Sequence, residues 1–214
     1  MREQVISFLK QFIDLEEKDI LLIEELTTVK HFSKNEFILI QGKVCDFVAF
    51  INKGAFRDFY SIDGQEYSKQ FFLEGGFCTD YASFLTGKKS LTYLQATEDS
   101  TVVIFEKKDV DVMYKTIPNF VQFGKLLAEN LYITVTDIKA SFILNSPEER
   151  YANMLINRPE VIQRVPQYMI ASYLGITPEA LSRIRRRLGK RTNTKTNKNY
   201  SCYKYLAYFI VFVI

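Results

Sequence analysis

The chain has 214 residues, of which 47% are hydrophobic and 25% are charged. This composition is typical of a soluble globular protein with one large or two small domains, and it excludes a disordered or fibrous chain. The single histidine and the three widely spaced cysteines exclude zinc ribbons, cysteine-ligated clusters and disulfide frameworks, so no metal site is expected. The same cysteine usage fits a reducing cytoplasm, where we expect to find the protein.

The net charge of +3 conceals an uneven distribution along the chain. Residues 1–149 contain 16 Lys and Arg against 23 Asp and Glu, whereas residues 150–200 contain 11 against 2. A basic segment behind an acidic body predicts a polyanionic partner for the C-terminal part, with a solvated basic face as the alternative. No run approaches the roughly 20 apolar residues of a membrane span, so no membrane partner is expected.

The first part of the chain is predicted to contain short helices followed by strands. Residues 2–13 and 16–26 have helical patterns, and Asp14 to Glu17 has the form of a capping box before the second helix. From Val29 to about Lys108, β-branched and aromatic segments alternate with glycines and polar turns, including the hairpin signal Asp63-Gly64. This spacing predicts an all-β barrel or roll, whose strands include residues 37–40, 47–51, 56–60, 70–72, 93–96 and 102–105.

A long helix is predicted after Pro118, which suits a first helical turn. One apolar stripe continues over about five helical turns. A matching helix from a second subunit is the expected partner, and packing on the chain's own β-domain is the alternative. The stripe consists of Phe123, Leu127, Leu131, Val135, Ile138 and Phe142.

Residues 146–186 have the pattern of a helical unit. Ser146 and Pro147 start a helix that is expected to end near Asn157, and residues 159–165 are expected to form a connector. Residues 167–186 then show a helix-turn-helix pattern, with the small Ala171 at the helix contact and Gly175 in the turn.

The second helix of this pattern has two opposite faces. Leu181, Ile184 and Leu188 lie on the apolar side, and Thr177 and Pro178 are suited to its N-cap and first position. Such an apolar back and polar front are what a major-groove reader needs, although an ordinary hairpin with a solvated basic face is the alternative. The predicted base contacts are Glu179, Ser182, Arg183 and Arg186. The predicted phosphate contacts are Arg185, Arg187, Lys190, Arg191 and Thr177.

The order of helices, β-roll, stripe helix and helix-turn-helix resembles the Crp/Fnr-type bacterial transcription regulators, over nearly residues 1–190. The segment from Val165 to Arg186 is the most specific part, and it looks like the branch of the family common in Bacteroidetes-type bacteria. The resemblance implies an α+β fold and a homodimer on pseudo-palindromic double-stranded DNA, with base contacts at Glu179 and Arg183. RNA polymerase is a further candidate partner. The expected divisions are a sensor β-roll at 1–116, a dimerisation helix at 117–145, a DNA-binding domain at 146–191 and an atypical apolar tail at 192–214.

The β-roll departs from the cyclic-nucleotide-binding members of that family. They carry Gly-Glu for the ribose and Arg-Ser for the phosphate, whereas Thr79-Asp80 and Ser90-Leu91 occupy those positions here. Gating by cyclic AMP is therefore not expected, no cofactor is expected, and the effector is unknown. The expected effector pocket consists of Phe77, Cys78, Thr79, Asp80, Ser90 and Leu91.

Three functions and three origins of the tail stay open at this point. The main hypothesis is a DNA-binding regulator, and its rival is a ligand-binding module that signals through protein contacts. An enzyme is the weakest candidate, because nothing resembles a nucleophile with its base, so no catalytic residue is assigned. The tail is interpreted as an element packed on the body, an extension from a coding shift, or a membrane anchor, and its length argues against the last.

Overall fold

The computed structural model describes residues 1–191. Two four-stranded antiparallel sheets form the β-roll, with strand orders β1-β8-β3-β6 and β2-β7-β4-β5. The type of turn follows from the sequence, since Asp63 and Gly64 both have positive φ angles between β4 and β5. The strands are β1 (Thr27–Phe32), β2 (Phe37–Leu39), β3 (Phe47–Lys53), β4 (Phe56–Ile62), β5 (Gln65–Phe72), β6 (Phe77–Cys78), β7 (Tyr93–Ala96) and β8 (Ser100–Glu106).

Helices cover one side of the roll and continue into a separate helical unit. None of the helices in residues 1–191 is long and apolar enough to cross a membrane. The helices are α1 (Glu3–Leu9), α2 (Glu17–Leu26), α3 (Tyr81–Thr86), α4 (Lys107–Thr116), α5 (Phe120–Leu144), α6 (Pro147–Asn157), α7 (Pro159–Arg164), α8 (Gln167–Tyr173) and α9 (Pro178–Arg191).

Three apolar clusters stabilise this arrangement. One joins α1, α2, α4 and the start of α5 to the first sheet through buried phenylalanines such as Phe50 and Phe77. A second fills the space between the two sheets, and a third lies among α6 to α9. Phe71 of β5 belongs to the third cluster and is completely buried. The helical unit is therefore packed against the roll rather than tethered to it by the chain alone.

Several local predictions are confirmed, and several are wrong. Ser146 caps α6 in a capping box with Glu149, as expected. The capping box of α2 uses Glu16 and Asp19 instead of Asp14 and Glu17, because the Asp19 carboxylate accepts from the Glu16 amide at 3.0 Å. The expected connector at 159–165 is mostly the helix α7, which begins at a proline in its first turn.

Two boundaries also differ from the expected ones. The long helix begins at Phe120 rather than at Pro118, because Asn119 has a positive φ angle that interrupts the helix. Residues 27–32 were not among the predicted strand segments. They form β1, which pairs with β8. His31 is exposed on that strand, with Nδ1 3.0 Å from the Thr101 hydroxyl. The expectations for the tail at 192–214 lie outside the described residues.

Candidate functional site

The helix-turn-helix is built by local chemistry at its turn. Gly175 has a φ of 69°, a left-handed conformation that side chains other than glycine rarely adopt. Thr177 then starts α9, because its hydroxyl accepts a hydrogen bond from the Ala180 amide at 3.2 Å. Ala171, Leu181 and Ile184 are buried between α8 and α9. The predicted helix-turn-helix is therefore present, with its glycine, cap and small contact residue in the expected roles.

The opposite side of α9 faces solvent. All four predicted base-contact residues are exposed: Glu179, Ser182, Arg183 and Arg186. A hydrogen bond from its own backbone amide, the Thr177 hydroxyl and the charge of Arg183 lower the pKa of Glu179. The face therefore presents an ionised carboxylate beside guanidinium groups, which are the acceptor and donor types that read base edges. Contact with DNA by these four residues stays a prediction.

The predicted phosphate contacts divide by their surroundings. Arg185 is exposed on α9. Arg187 forms an ion pair with Glu148 of α6 at 2.7 Å, and Thr177 is used as a helix cap. These two side chains would have to give up or share their contacts to bind phosphate. The side chains of Lys190 and Arg191 lie outside the described part of the chain.

The helical unit is held on the β4–β5 hairpin by α8 and the start of α7. The Ser172 hydroxyl accepts from the Ser68 amide at 2.9 Å and donates to the Glu66 carbonyl at 3.0 Å. Arg158 donates to the Gln70 side chain at 3.2 Å and to the Phe71 carbonyl. Strand β5 therefore seats the first helix of the helix-turn-helix through both backbone and side-chain bonds.

A second polar contact fixes the end of α7 to the roll. Arg164 donates two hydrogen bonds to the Glu74 carboxylate, at 2.7 and 2.8 Å, and also bonds Glu98. Hydrogen bonds to both carboxylates raise the pKa of Arg164. Partial burial alone would raise the pKa of Glu74, but hydrogen bonds from Arg164 and from the Glu74 and Gly54 amides lower it. This bidentate geometry holds the orientation of the helical unit as well as its position.

A cavity of about 550 Å³ lies between the β-roll, α3 and α5. Its wall is largely aromatic and aliphatic, from residues such as Phe77, Phe123 and Leu127. Its charged lining residues are Asp58, Lys69 and Asp80. The size falls in the range of pockets that bind small molecules.

The structure brings only part of the expected effector pocket to this cavity, and the role of that part stays a prediction. Phe77, Thr79 and Asp80 line the cavity. Cys78 does not, because it follows Phe77 on β6 and its side chain is buried between the two sheets. Ser90 is turned away, since its hydroxyl donates to the Thr92 carbonyl at 3.1 Å, and Leu91 is 69% exposed to solvent. These three residues therefore do not line the cavity, unlike the other three of the expected pocket.

The prediction missed the polar pair in the cavity wall. The Lys69 ammonium lies 2.8 Å from Asp58 Oδ2, and the Asp58 side chain is only 2% exposed. An acidic residue between the aromatic residues Phe56 and Phe59 of a predicted strand, beside Arg57, is the signal that would have drawn attention to it. The partner on β5 follows only from the pairing of β4 with β5.

The stripe of α5 contacts its own domain at its N-terminal end. Phe123 is buried in the cluster shared with the roll, and Leu127 packs against that cluster. Leu131, Val135 and Ile138 line the cavity. Only Phe123 and Leu127 of the stripe therefore pack on the chain's own β-domain, whereas Val135 and Phe142 are 54% and 44% exposed, and the expected second subunit stays a prediction. Other apolar side chains on α5 are strongly exposed, notably Tyr132 at 75% and Leu144 at 78%.

Comparisons with known proteins agree with this geometry. Residues 29–116 match the family model of the cyclic nucleotide-binding domain. FixK2 from Bradyrhizobium japonicum has 18% identity and a TM-score of 0.67, over 81% of this chain and 89% of that chain. A putative crp/fnr-family regulator from Eubacterium rectale has 16% identity and a TM-score of 0.63, over 86% and 88%.

A third solved structure, of a CooA mutant from Carboxydothermus hydrogenoformans, has 17% identity and a TM-score of 0.61, over 92% of both chains. No sequence among the curated proteins matches this chain. The resemblance of the whole architecture, from β-roll to helix-turn-helix, is therefore confirmed.

Proposed function

We propose that this chain, which has the fold of the Crp/Fnr-type regulators and a cyclic nucleotide-binding domain at residues 29–116, regulates transcription by binding specific double-stranded DNA as a homodimer. The observation that supports it most directly is the exposed face of α9. Glu179, Ser182, Arg183 and Arg186 lie there together, opposite the buried Leu181 and Ile184. A helix with this division fits the major groove.

The homodimer is supported by the length and surface of α5. Its 25 residues span about 37 Å, and apolar side chains such as Val135 and Phe142 are exposed along it. Exposed apolar side chains continue to the C-terminal end of the helix, with Ile143 75% exposed. Covering such a surface with the same helix of a second copy would place two helix-turn-helix units side by side, as a pseudo-palindromic site requires.

Regulation through the roll is supported by strand β5. Gln70 lines the cavity and also accepts a hydrogen bond from Arg158, so one side chain touches both the cavity and the helical unit. If β5 has two positions and a ligand binds better to one of them, the ligand would shift the population toward that position and toward the matching orientation of the helix-turn-helix. Cyclic AMP is not proposed as that ligand, because Ser90 stands at the arginine position and is bonded to Thr92 instead. We also propose that the protein is not an enzyme.

Selection from a random duplex pool with the full chain tests the DNA-binding proposal. We expect enrichment of a two-fold symmetric motif, because the two recognition helices of a dimer would read equivalent half-sites. The matched control is Arg183→Ala, which should lose the motif while keeping salt-sensitive binding to bulk DNA. Retention of DNA without any motif by the unaltered chain, with and without extracts of small molecules, would overturn sequence-specific binding. It would favour the alternative function, a ligand-binding module that signals through protein contacts.

A further inference from the structure

We propose that the cavity between the β-roll and α5 takes an apolar molecule that is uncharged or cationic, in preference to a cyclic nucleotide or another anion. This names the class of effector and so deepens the proposed function. Binding at the cavity is measured without DNA, so its failure is distinguishable from a failure of DNA recognition.

The apolar body of the ligand follows from the cavity wall. Side chains from the roll meet side chains from α5 around a space of about 550 Å³. Burying an apolar ligand there removes apolar surface from water on both partners. The contributing side chains include Val48, Phe72, Phe84, Leu127, Leu131 and Ile138.

The charge preference follows from the polar groups in that wall. Two carboxylates, Asp58 and Asp80, face a single ammonium, Lys69, among the cavity-lining residues that the structure describes. Lys69 is already paired with Asp58 at 2.8 Å. An anion entering the cavity would therefore meet a net negative wall of low dielectric constant, whereas a cation or a neutral donor would not.

The state of Asp58 adds to this charge preference. Its Oδ2 is paired with Lys69, and the Thr92 side chain also stabilises the charged carboxylate. Burial raises the pKa of Asp58, and Lys69 and Thr92 oppose that rise only in part. An anion brought into the cavity would therefore repel a buried carboxylate that is already costly to keep charged.

The guanidinium of Arg57 could favour a phosphate ligand, but it is bonded to residues that do not line the cavity. Arg57 is 1% exposed, and it donates to Ser68 at 2.9 Å and to Glu66 at 2.7 Å. Arg57 is not among the residues that line the cavity. The planar two-donor fork that recognises phosphate is therefore missing from the described wall.

Displacement of a neutral dye from the full-length protein tests this inference. N-phenyl-1-naphthylamine, which has an apolar body and one N–H donor, is expected to bind and to gain fluorescence. Decanol and decylamine should displace it at concentrations about tenfold lower than decanoate, because the carboxylate of decanoate would meet a wall that already has an excess of negative charge. Cyclic AMP should leave the dye in place. Absence of dye binding, or displacement by decanoate or cyclic AMP as readily as by decanol, would overturn the inference.

Two variants locate the binding and its charge preference. Leu127→Trp places a bulky side chain in the cavity and should reduce dye binding at least tenfold, whereas the matched Leu21→Trp on exposed α2 should not. Asp58→Asn should abolish or reverse the preference for decylamine over decanoate, because Lys69 then loses its carboxylate partner. Unchanged dye binding in Leu127→Trp would place the dye elsewhere and overturn the assignment. If Asp58→Asn fails to fold, two other results test the inference. These are the order in which decanol, decylamine and decanoate displace the dye from the unaltered chain, and the difference in dye binding between Leu127→Trp and Leu21→Trp.

Discussion

The arginines that flank α7 and those on α9 come from the same basic stretch but have different surroundings. Arg158 and Arg164 donate to the β-roll across the domain contact. Arg183 and Arg186 point into solvent from the front of α9. Counting positive charge along the chain treats these four residues as equivalent. Their neighbours in space separate arginines that hold the helical unit from arginines that are available to a polyanion.

The largest expected effect is the loss of the half-buried Arg158 from the contact between the helical unit and the roll. Burial lowers the pKa of Arg158, and its guanidinium donates to Gln70 and the Phe71 carbonyl. We expect Arg158→Ala to reduce the free energy of unfolding by about 2 kcal/mol, because buried acceptors lose a charged donor. Urea denaturation followed by circular dichroism measures the change. The matched control, Arg185→Ala on exposed α9, should stay within about 0.5 kcal/mol of the unaltered chain.

If Arg158→Ala has the same free energy of unfolding as Arg185→Ala, the two groups of arginines do not differ in their contribution to stability. That result would mean that the contact between α7 and β5 contributes little and that the helical unit is free to leave the roll.

The reverse pattern is expected for DNA binding. Arg183→Ala should weaken binding to the selected site by about 1–3 kcal/mol and leave binding to unrelated duplexes nearly unchanged, because a base contact is lost. Arg185→Ala should weaken binding to all duplexes alike and reduce the salt slope by about 0.9. Fluorescence anisotropy at several salt concentrations measures both. An equal loss on all duplexes for Arg183→Ala would remove this residue from the base-reading face.

A smaller effect sharpens the assignment of Thr177. Its hydroxyl caps α9, so Thr177→Ala should destabilise the protein by about 1 kcal/mol, whereas Thr177→Asn should retain most of the stability. Thermal unfolding in the absence of DNA measures this. A stable Thr177→Ala variant with a reduced salt slope for DNA would instead support the phosphate contact.

The smallest expected effect depends on pH at the contact between Arg164 and Glu74. Because the folded protein lowers the pKa of Glu74, its stabilising contribution is present above the ordinary carboxyl range. That contribution is lost as the pH falls through the lowered pKa. The Glu74 side chain is 37% exposed, so solvent screening limits the effect to about 0.5 kcal/mol.

The free energies of unfolding of the unaltered chain and of Glu74→Gln should therefore differ at neutral pH and converge as the pH falls through the lowered pKa of Glu74. The exposed Glu3→Gln is the control, since this carboxylate is 91% exposed and belongs to no domain contact that we describe. A difference that grows as the pH falls would contradict the sign of the Glu74 contribution.

Sequence patterns gave the helix-turn-helix more accurately than the cavity. Gly175, Thr177 and the faces of α9 depend on neighbours within about four positions in the chain, and all three were predicted correctly. The cavity wall draws on residues from Leu9 to Ile138. Of the six residues expected there, Cys78, Ser90 and Leu91 face elsewhere, because the pleat of β6 and the bonds of Ser90 to Thr92 direct their side chains.

The sequence by itself determined the elements whose hydrogen bonds and apolar faces are local: the capped helices, the β4–β5 turn and the division of α9 into a buried and an exposed face. Only the tertiary structure decided which long-range partners meet. Lys69 reaches Asp58 through the pairing of two strands, and Arg164 reaches Glu74 across 90 positions. Such contacts arise when separately specified elements pack together, and their chemistry depends on burial and geometry that no local spacing contains.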